Sequence, residues 1–359
     1  MGVALLRGEN FRLYKTLQIE PHATLNLIVG DNAAGKTSLL EALFVLARGR
    51  SFRAHNLGEL CGTAGQHWHV FAEFEQHDGR HRAGIGWTRE GLDMRLDDQR
   101  GARVADVVRT LPMQLMDPSA HRLLDEGPAY RRSFVDWGVF HVEHRFLEVW
   151  RRYQRALKQR NQALREQLGT KAVQAWNEEL VTTGASITEM REKHVAAVTQ
   201  IFRSWTTRLL GEVAVALEWH RGWPADQSYR EVLERGYEQH ERLGTTVQGP
   251  HRAELKISMA ALKAKGRISR GQQKMLIAAM VLAQSELLIS QGVNAPVLLV
   301  DDFASELAPE FQLRLAAALA AYGGQKFVSA FEIPVGFAEF EARMFHVEQG
   351  TIRLQDRLH

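Results

Sequence analysis

Eight consecutive residues, Gly30-Asp31-Asn32-Ala33-Ala34-Gly35-Lys36-Thr37, have the glycine, lysine and hydroxyl spacing of a Walker A phosphate-binding loop. Each residue type serves that chemistry. Glycines let the backbone bend until successive N–H groups face one anion, with no side chain in the way. Lys36 offers a point charge to the β- and γ-phosphates, and Thr37 offers a hydroxyl to Mg²⁺. Such a loop works only between a strand and a helix whose positive N-terminal end also faces the anion. Leu27-Ile28-Val29 before the loop and Ser38–Arg48 after it have the required patterns.

A second acidic element is expected to complete the site. Val297-Leu298-Leu299-Val300 is an apolar strand that ends in Asp301 and Asp302, as a Walker B element does. Asp301 is the expected Mg²⁺ ligand beside Thr37, and Asp302 the carboxylate that polarises the attacking water. An aspartate reaches less far than a glutamate, so slow hydrolysis is expected. Lys36 and Asp301 are 265 residues apart, which points to a large module inserted between the halves of one site. Ser269-Arg270-Gly271-Gln272-Gln273-Lys274 opens an apolar helix, with Gly271 30 residues before Asp301. It resembles the signature motif of ABC-type ATPases, and a small Ser and Gly at a helix start expose backbone donors to phosphate. The resemblance implies that Ser269, Gly271 and Gln272 contact ATP held by a second copy of the chain. Taken alone, Ser269 also reads as an ordinary helix N-cap.

The elements that position these residues follow from periodicity. Alternating apolar residues from Trp68 to Arg95, around Asp78-Gly79 and Glu90-Gly91, predict an antiparallel meander. From about Tyr130 to Arg242 the pattern becomes long, charged and helical, as in Phe146–Leu168. After Gly271 a helix to Ser290, the strand at 297–300, a helix at 310–322, the strand Phe327-Val328 and a terminal hairpin across Phe345–Leu354 complete an α/β alternation. The expected architecture is an α/β P-loop head, of the ABC type that the signature motif resembles, with an antiparallel meander and an inserted, mainly helical second lobe. Its boundaries are read as 1–115 plus 293–359 for the ATPase lobe and 116–292 for the second lobe, signature motif included.

Composition bounds the class. The chain has 359 residues, 45% hydrophobic, and 45 Lys+Arg against 42 Asp+Glu give a net charge of only +3, so the location of charge matters more than its sum. Cys61 is the single cysteine, which rules out an internal disulfide or a cysteine-rich zinc site. Arg7, Glu9 and Arg12 interrupt the apolar start, so neither a signal peptide nor a membrane partner is expected, and a cytoplasmic location is.

Beyond the superfamily motifs, a set of stretches resembles the RecF family. They are Asn10-Phe11-Arg12, the P-loop with Leu39-Leu40-Glu41-Ala42, Gly49-Arg50-Ser51-Phe52-Arg53, Gly127-Pro128 through Arg131-Arg132, Gly249-Pro250-His251-Arg252, Ser269–Gln273 and Asp301 through Leu307. The resemblance implies an SMC-like head without a long coiled coil, ATP-dependent dimerisation, and weak DNA-dependent ATPase activity. It also implies binding to gapped DNA, partnership with RecR, and through RecO and RecR the loading of RecA in gap repair, replication-fork maintenance and SOS induction. The chain departs from the pattern at two places. Ala308-Pro309 stands where the family has an aspartate after Ser-Glu-Leu, and no switch histidine follows the next strand, where Ser329 is the nearest substitute. Gln114 is a candidate ligand between lobes, though a glutamine at a strand end is commonly just solvated.

DNA contacts are sought among basic residues. Arg131, Arg132, Arg145, Arg151, Arg152, Arg155, Lys158, Arg160 and Arg165 crowd one stretch, and Arg151, Arg155 and Lys158 share a helix face suited to a phosphate backbone. Arg53, after the P-loop helix, resembles the arginine loop of SMC-type heads. Trp137, Trp150 and Trp176 read as core residues rather than base-stacking platforms. Two competing classes are an ABC-transporter ATPase subunit, which favours a glutamate at position 302 and a shorter helical lobe, and a small-molecule kinase, which would need an acceptor site.

Overall fold

The computed structural model describes residues 2–62, 65–97, 99–259, 268–337 and 339–355. The chain divides into two compact units: residues 1–121, 208–211 and 269–359, and residues 122–207 and 212–268.

The first unit carries β1 (Gly2–Phe11), β2 (Tyr14–Ile19), β3 (Leu25–Val29), β4 (Trp68–Gln76), β5 (Gly79–Thr88), β6 (Gly91–Leu96), β7 (Gln99–Arg100) and β8 (Met113–Met116). The second carries β9 (Val215–His220) and β10 (Glu254–Met259), and the chain returns to the first for β11 (Val297–Val300), β12 (Lys326–Ala330), β13 (Arg343–Glu348) and β14 (Thr351–Gln355). In the first unit an antiparallel sheet runs β2-β1-β4-β5-β6-β7, which contains the expected meander. A second sheet runs β14-β13-β3-β12-β11-β8, parallel except for its terminal hairpin. Strands β3, β11 and β12 are buried at every position, as strands of a parallel sheet covered on both faces must be.

The helix Lys36–Arg48 belongs to the core that joins the two sheets. Its Leu39, Leu40, Leu43 and Leu46 cluster with Trp68, Val70 and Phe74 of β4 and with Ile28, Leu299 and Phe327 of the parallel sheet. Burying side chains of this size stabilises by roughly 1.5–3 kcal/mol each. Behind the P-loop helix, Glu41 is fully buried and receives two hydrogen bonds of 2.8 Å from Arg12 and one from the Ser51 hydroxyl.

The lobe boundary differs from the expected one. The helix Arg270–Ser290, with the signature motif at its start, belongs to the first unit instead of the second. Its packing explains why: Gln284 accepts a 2.8 Å hydrogen bond from Gln114 of β8, and Lys274 holds the loop after β11. By length and apolar composition this helix is the one candidate membrane span among the described residues, yet most of it is buried inside the unit. Gln114 is likewise buried and paired, not solvated at a strand end.

The second unit is mainly helical, with Pro128–Val142, Phe146–Arg165 and Asn177–Leu210 as its longest helices, the last ending among residues of the first unit. The antiparallel pair β9–β10 was not among the strands expected within the mainly helical lobe. Trp137 is buried, and Trp150 stacks with Phe146 and Tyr153 beneath the Arg191 guanidinium, so these tryptophans pack within the fold.

Candidate nucleotide site

The parallel sheet brings the distant motifs together. Ligands of such sheets gather at the carboxyl ends of the strands, and the P-loop leaves β3 at that end, just as Asp301 leaves β11. Only β12 separates these two strands. The Thr37 hydroxyl donates to Asp301 Oδ1 at 3.0 Å across 264 residues of sequence.

The loop has the backbone its glycines were expected to provide. Gly30 and Gly35 have φ of 147° and 123°, and a Cβ on Gly30 would lie 2.2 Å from the Val347 carbonyl oxygen. A side chain on Gly35 would meet Tyr14, whose hydroxyl donates to the Gly35 carbonyl at 2.9 Å. Ala33 also adopts a left-handed φ of 63°. Asp31, Asn32 and Ala33 are exposed and Ala34 is buried. Lys36 Nζ donates to the carbonyl oxygens of Gly30 and Asp31, each at 2.7 Å, so its charge sits inside the turn of the loop. Burial lowers its pKa, against the pull of Asp302, Asp301 and Asp31.

Asp301 is 5% exposed. Burial raises its pKa, and hydrogen bonds from Ser329 and Thr37 act in the opposite direction. The Ser329 hydroxyl donates to Asp301 Oδ1 at 2.6 Å and accepts from the Asp302 N–H at 2.9 Å. Ser329 therefore holds the acidic strand end from the neighbouring strand, a role its position as a switch-histidine substitute did not suggest. Asp302 is exposed and has a left-handed φ of 51°.

Ser269 caps its helix, accepting from the Gln272 N–H at 3.2 Å while Gln272 Oε1 accepts from the Ser269 N–H at 3.1 Å. The N-cap reading of Ser269 thus describes its contacts within one chain. Gly271 lies against the loop after β11, where an added Cβ would be 2.9 Å from the Glu306 carbonyl oxygen. Sequence reasoning assigned no role to Lys274, one helical turn further on. Burial lowers its pKa to about 8, although Asp302, Glu306, Asp301 and Asp117 favour its charge. A lysine two positions after Gln272 was visible in the motif; its carbonyl partners were not.

The basic candidates separate into two groups. Arg131 is paired with Glu254 and Arg152 with Glu179, Arg132 donates to the Ala253 carbonyl, and Arg160 is fully buried. Arg151, Arg155 and Lys158 are exposed on one helix, and Arg53 is exposed on a loop whose N–H groups at Arg53 and Ala54 donate to Ser51 Oγ at 2.8 Å.

Comparison with known proteins agrees with this architecture. The RecF/RecN/SMC N-terminal domain model matches residues 3–353. The DNA replication and repair protein RecF of Shewanella pealeana is 36% identical over 98% of this chain and 99% of its own length. The chain belongs to the RecF family. The RecF of Shewanella piezotolerans is similar at 35% identity over the same share of this chain. Among solved structures, the recombination mediator protein RecF with ATP, of the RecFOR pathway, superposes with a TM-score of 0.87 at 21% identity, covering 99% of this chain and 98% of that one. An Smc head bound to the C-terminal winged-helix domain of ScpA superposes with a TM-score of 0.64 at 14% identity, over 98% of this chain and 96% of that chain. The fold of this RecF-family chain is thus the ABC/SMC-type ATPase head, with a mainly helical second unit of its own between the motifs.

Proposed function

We propose that this chain is an ATP-dependent DNA-binding protein of recombinational repair, which dimerises around ATP and Mg²⁺, hydrolyses slowly and releases DNA on hydrolysis. The observation that carries the reading is the 3.0 Å contact between Thr37 of the P-loop and Asp301 of the acidic strand end. Two oxygen donors converge there, the hard-ligand set that Mg²⁺ takes from a protein when phosphates complete its shell. Bound with nucleotide, the metal would neutralise charge on the β- and γ-phosphates.

The residues of the chain divide the work. Gly30 through Thr37 would form the turn around the phosphates, the Gly30 N–H itself being held by the Phe331 carbonyl at 3.3 Å, and Lys36 would turn its ammonium from the loop carbonyls to the anion. Asp301, in a protein-lined setting that disfavours its lone charge, favours a cation beside it. Asp302 is exposed at the strand end, where it orients water, and Ser269, Gly271 and Gln272 close on ATP held by a second copy. Arg151, Arg155, Lys158 and Arg53 are the proposed phosphate-backbone contacts on DNA. RecF proteins named for replication and repair, and a RecF described as a recombination mediator in the RecFOR pathway, support RecR and RecO as partners, and the task proposed for them together is loading RecA at single-strand gaps. An ABC-transporter role is disfavoured by the family match.

Calorimetric titration with ATP and Mg²⁺ tests the reading. The wild type should bind in the micromolar range or tighter, and Lys36→Ala should bind at least about tenfold more weakly, the loss of one charge-assisted contact. Absence of Mg²⁺-dependent ATP binding by the wild type would overturn it.

A further inference from the structure

The signature motif and the acidic strand end serve different nucleotides in a head-to-tail dimer, yet within one chain they are tied together. Lys274 Nζ donates to three backbone carbonyls of the loop after β11: Asp302 at 2.7 Å, Phe303 at 3.0 Å and Ser305 at 3.1 Å. An ammonium has three donors, and all of them are used. The loop needs such a restraint, because it holds two non-glycine residues in left-handed conformation, Asp302 at φ 51° and Glu306 at φ 64°. Strained residues of that kind persist only where surrounding contacts over-determine them. One turn earlier on the same helix, Gly271 packs against the Glu306 carbonyl so closely that a Cβ would stand 2.9 Å away. The helix beginning at Ser269 and the loop beginning at Asp302 are therefore joined at both ends of the loop. The chain meanwhile has Ala308, which caps the next helix without a side-chain hydrogen bond, where the related pattern has a carboxylate to signal between sites.

We propose that Lys274 is a positioning residue that couples the two ATP sites of the dimer, by making a shift of the signature helix at one nucleotide move the Asp302 backbone at the other. The inference rests on the proposed reading of the site as a shared, hydrolytic ATP site. Lys274 itself touches neither nucleotide; it acts through the carbonyl groups of residues 302, 303 and 305.

The test measures ATP hydrolysis against ATP concentration, with nucleotide affinity of the monomer measured separately, for the wild type, Lys274→Met, Lys274→Gln and Lys274→Arg. Wild-type hydrolysis should be cooperative in ATP. Lys274→Met should lose that cooperativity and about tenfold in kcat, the scale set by losing charged hydrogen bonds to the loop, while ATP affinity of the monomer stays within about twofold. Lys274→Gln, which keeps two donors and guards against misfolding of the Met variant, should lose less, and Lys274→Arg should restore most of the cooperativity. Cooperative hydrolysis at wild-type kcat in both Lys274→Met and Lys274→Gln would overturn the coupling role, as would non-cooperative hydrolysis by a wild type that dimerises on ATP. A wild type that neither dimerises nor hydrolyses would instead overturn the underlying reading of the site.

Discussion

At the scale of single residues, Ser329 shows how a small side chain sets an acid. Its hydroxyl donates a hydrogen bond to Asp301 and accepts one from the Asp302 N–H, so it fixes the side chain of one acid and the backbone of the next. Ser329→Ala removes both contacts in a fully buried place, and we expect a loss of about 1–3 kcal/mol in stability. The same substitution should raise the Mg²⁺ concentration needed for half-maximal hydrolysis; an unchanged urea midpoint and Mg²⁺ requirement would refute it. Lys326, at the other end of β12, gives a pH prediction. Burial lowers its pKa from 10.5 to about 8 in the fold, so the unfolded chain binds more protons between those values. Its contribution to stability is therefore lost as pH falls through 8 and is regained as pH rises toward 10.5. Urea unfolding at pH 7.5 to 9.5 should show a weaker rise in stability with pH for Lys326→Met than for the wild type; parallel slopes would count against this assignment.

At the scale of elements, the P-loop helix is held from behind by Arg12, Glu41 and Ser51. Arg12 lies in the turn between β1 and β2, and Ser51 in the loop after the helix, so three separate segments meet on one buried carboxylate. Arg12→Ala leaves Glu41 buried without its cation and with only the Ser51 hydroxyl of the three described donors, which should destabilise by about 3–5 kcal/mol; a double-mutant cycle with Glu41→Gln would show coupling if the pair acts as described, and additive losses if it does not. The elements near the site were legible in the sequence because their signals are local: an apolar run before Gly30, helical period after Thr37, an apolar run before Asp301. The meander and terminal hairpin were legible through alternation and Gly-containing turns. What stayed hidden depends on pairing between distant segments. Nothing local marks β9 for β10, and neither the Arg12–Glu41 pair, Ser329 on Asp301 nor Lys274 on three carbonyls has a sequence spacing of its own. The lobe boundary was misplaced for the same reason, since an apolar helix does not declare which core it enters.

At the scale of the whole molecule, the proposed function needs two copies for one complete site. Within one chain Ser269 pairs with Gln272 at its own helix start, and the ATP-facing role proposed for Ser269, Gly271 and Gln272 calls for a partner. The proposed DNA binding belongs to the same scale, since Arg151, Arg155 and Lys158 are exposed and would act through long-range charge. Replacing all three by glutamine should weaken binding to gapped duplex and flatten its dependence on salt by about two to three charges; an unchanged salt slope in gel-shift titrations would place the DNA elsewhere. The most direct measurement of the shared site is sedimentation of the wild type and Ser269→Arg with and without ATP and Mg²⁺. We expect the wild type to be a monomer alone and a dimer with ATP, and Ser269→Arg to bind ATP yet remain a monomer. A Ser269→Arg protein that dimerises with ATP as the wild type does would contradict the shared site.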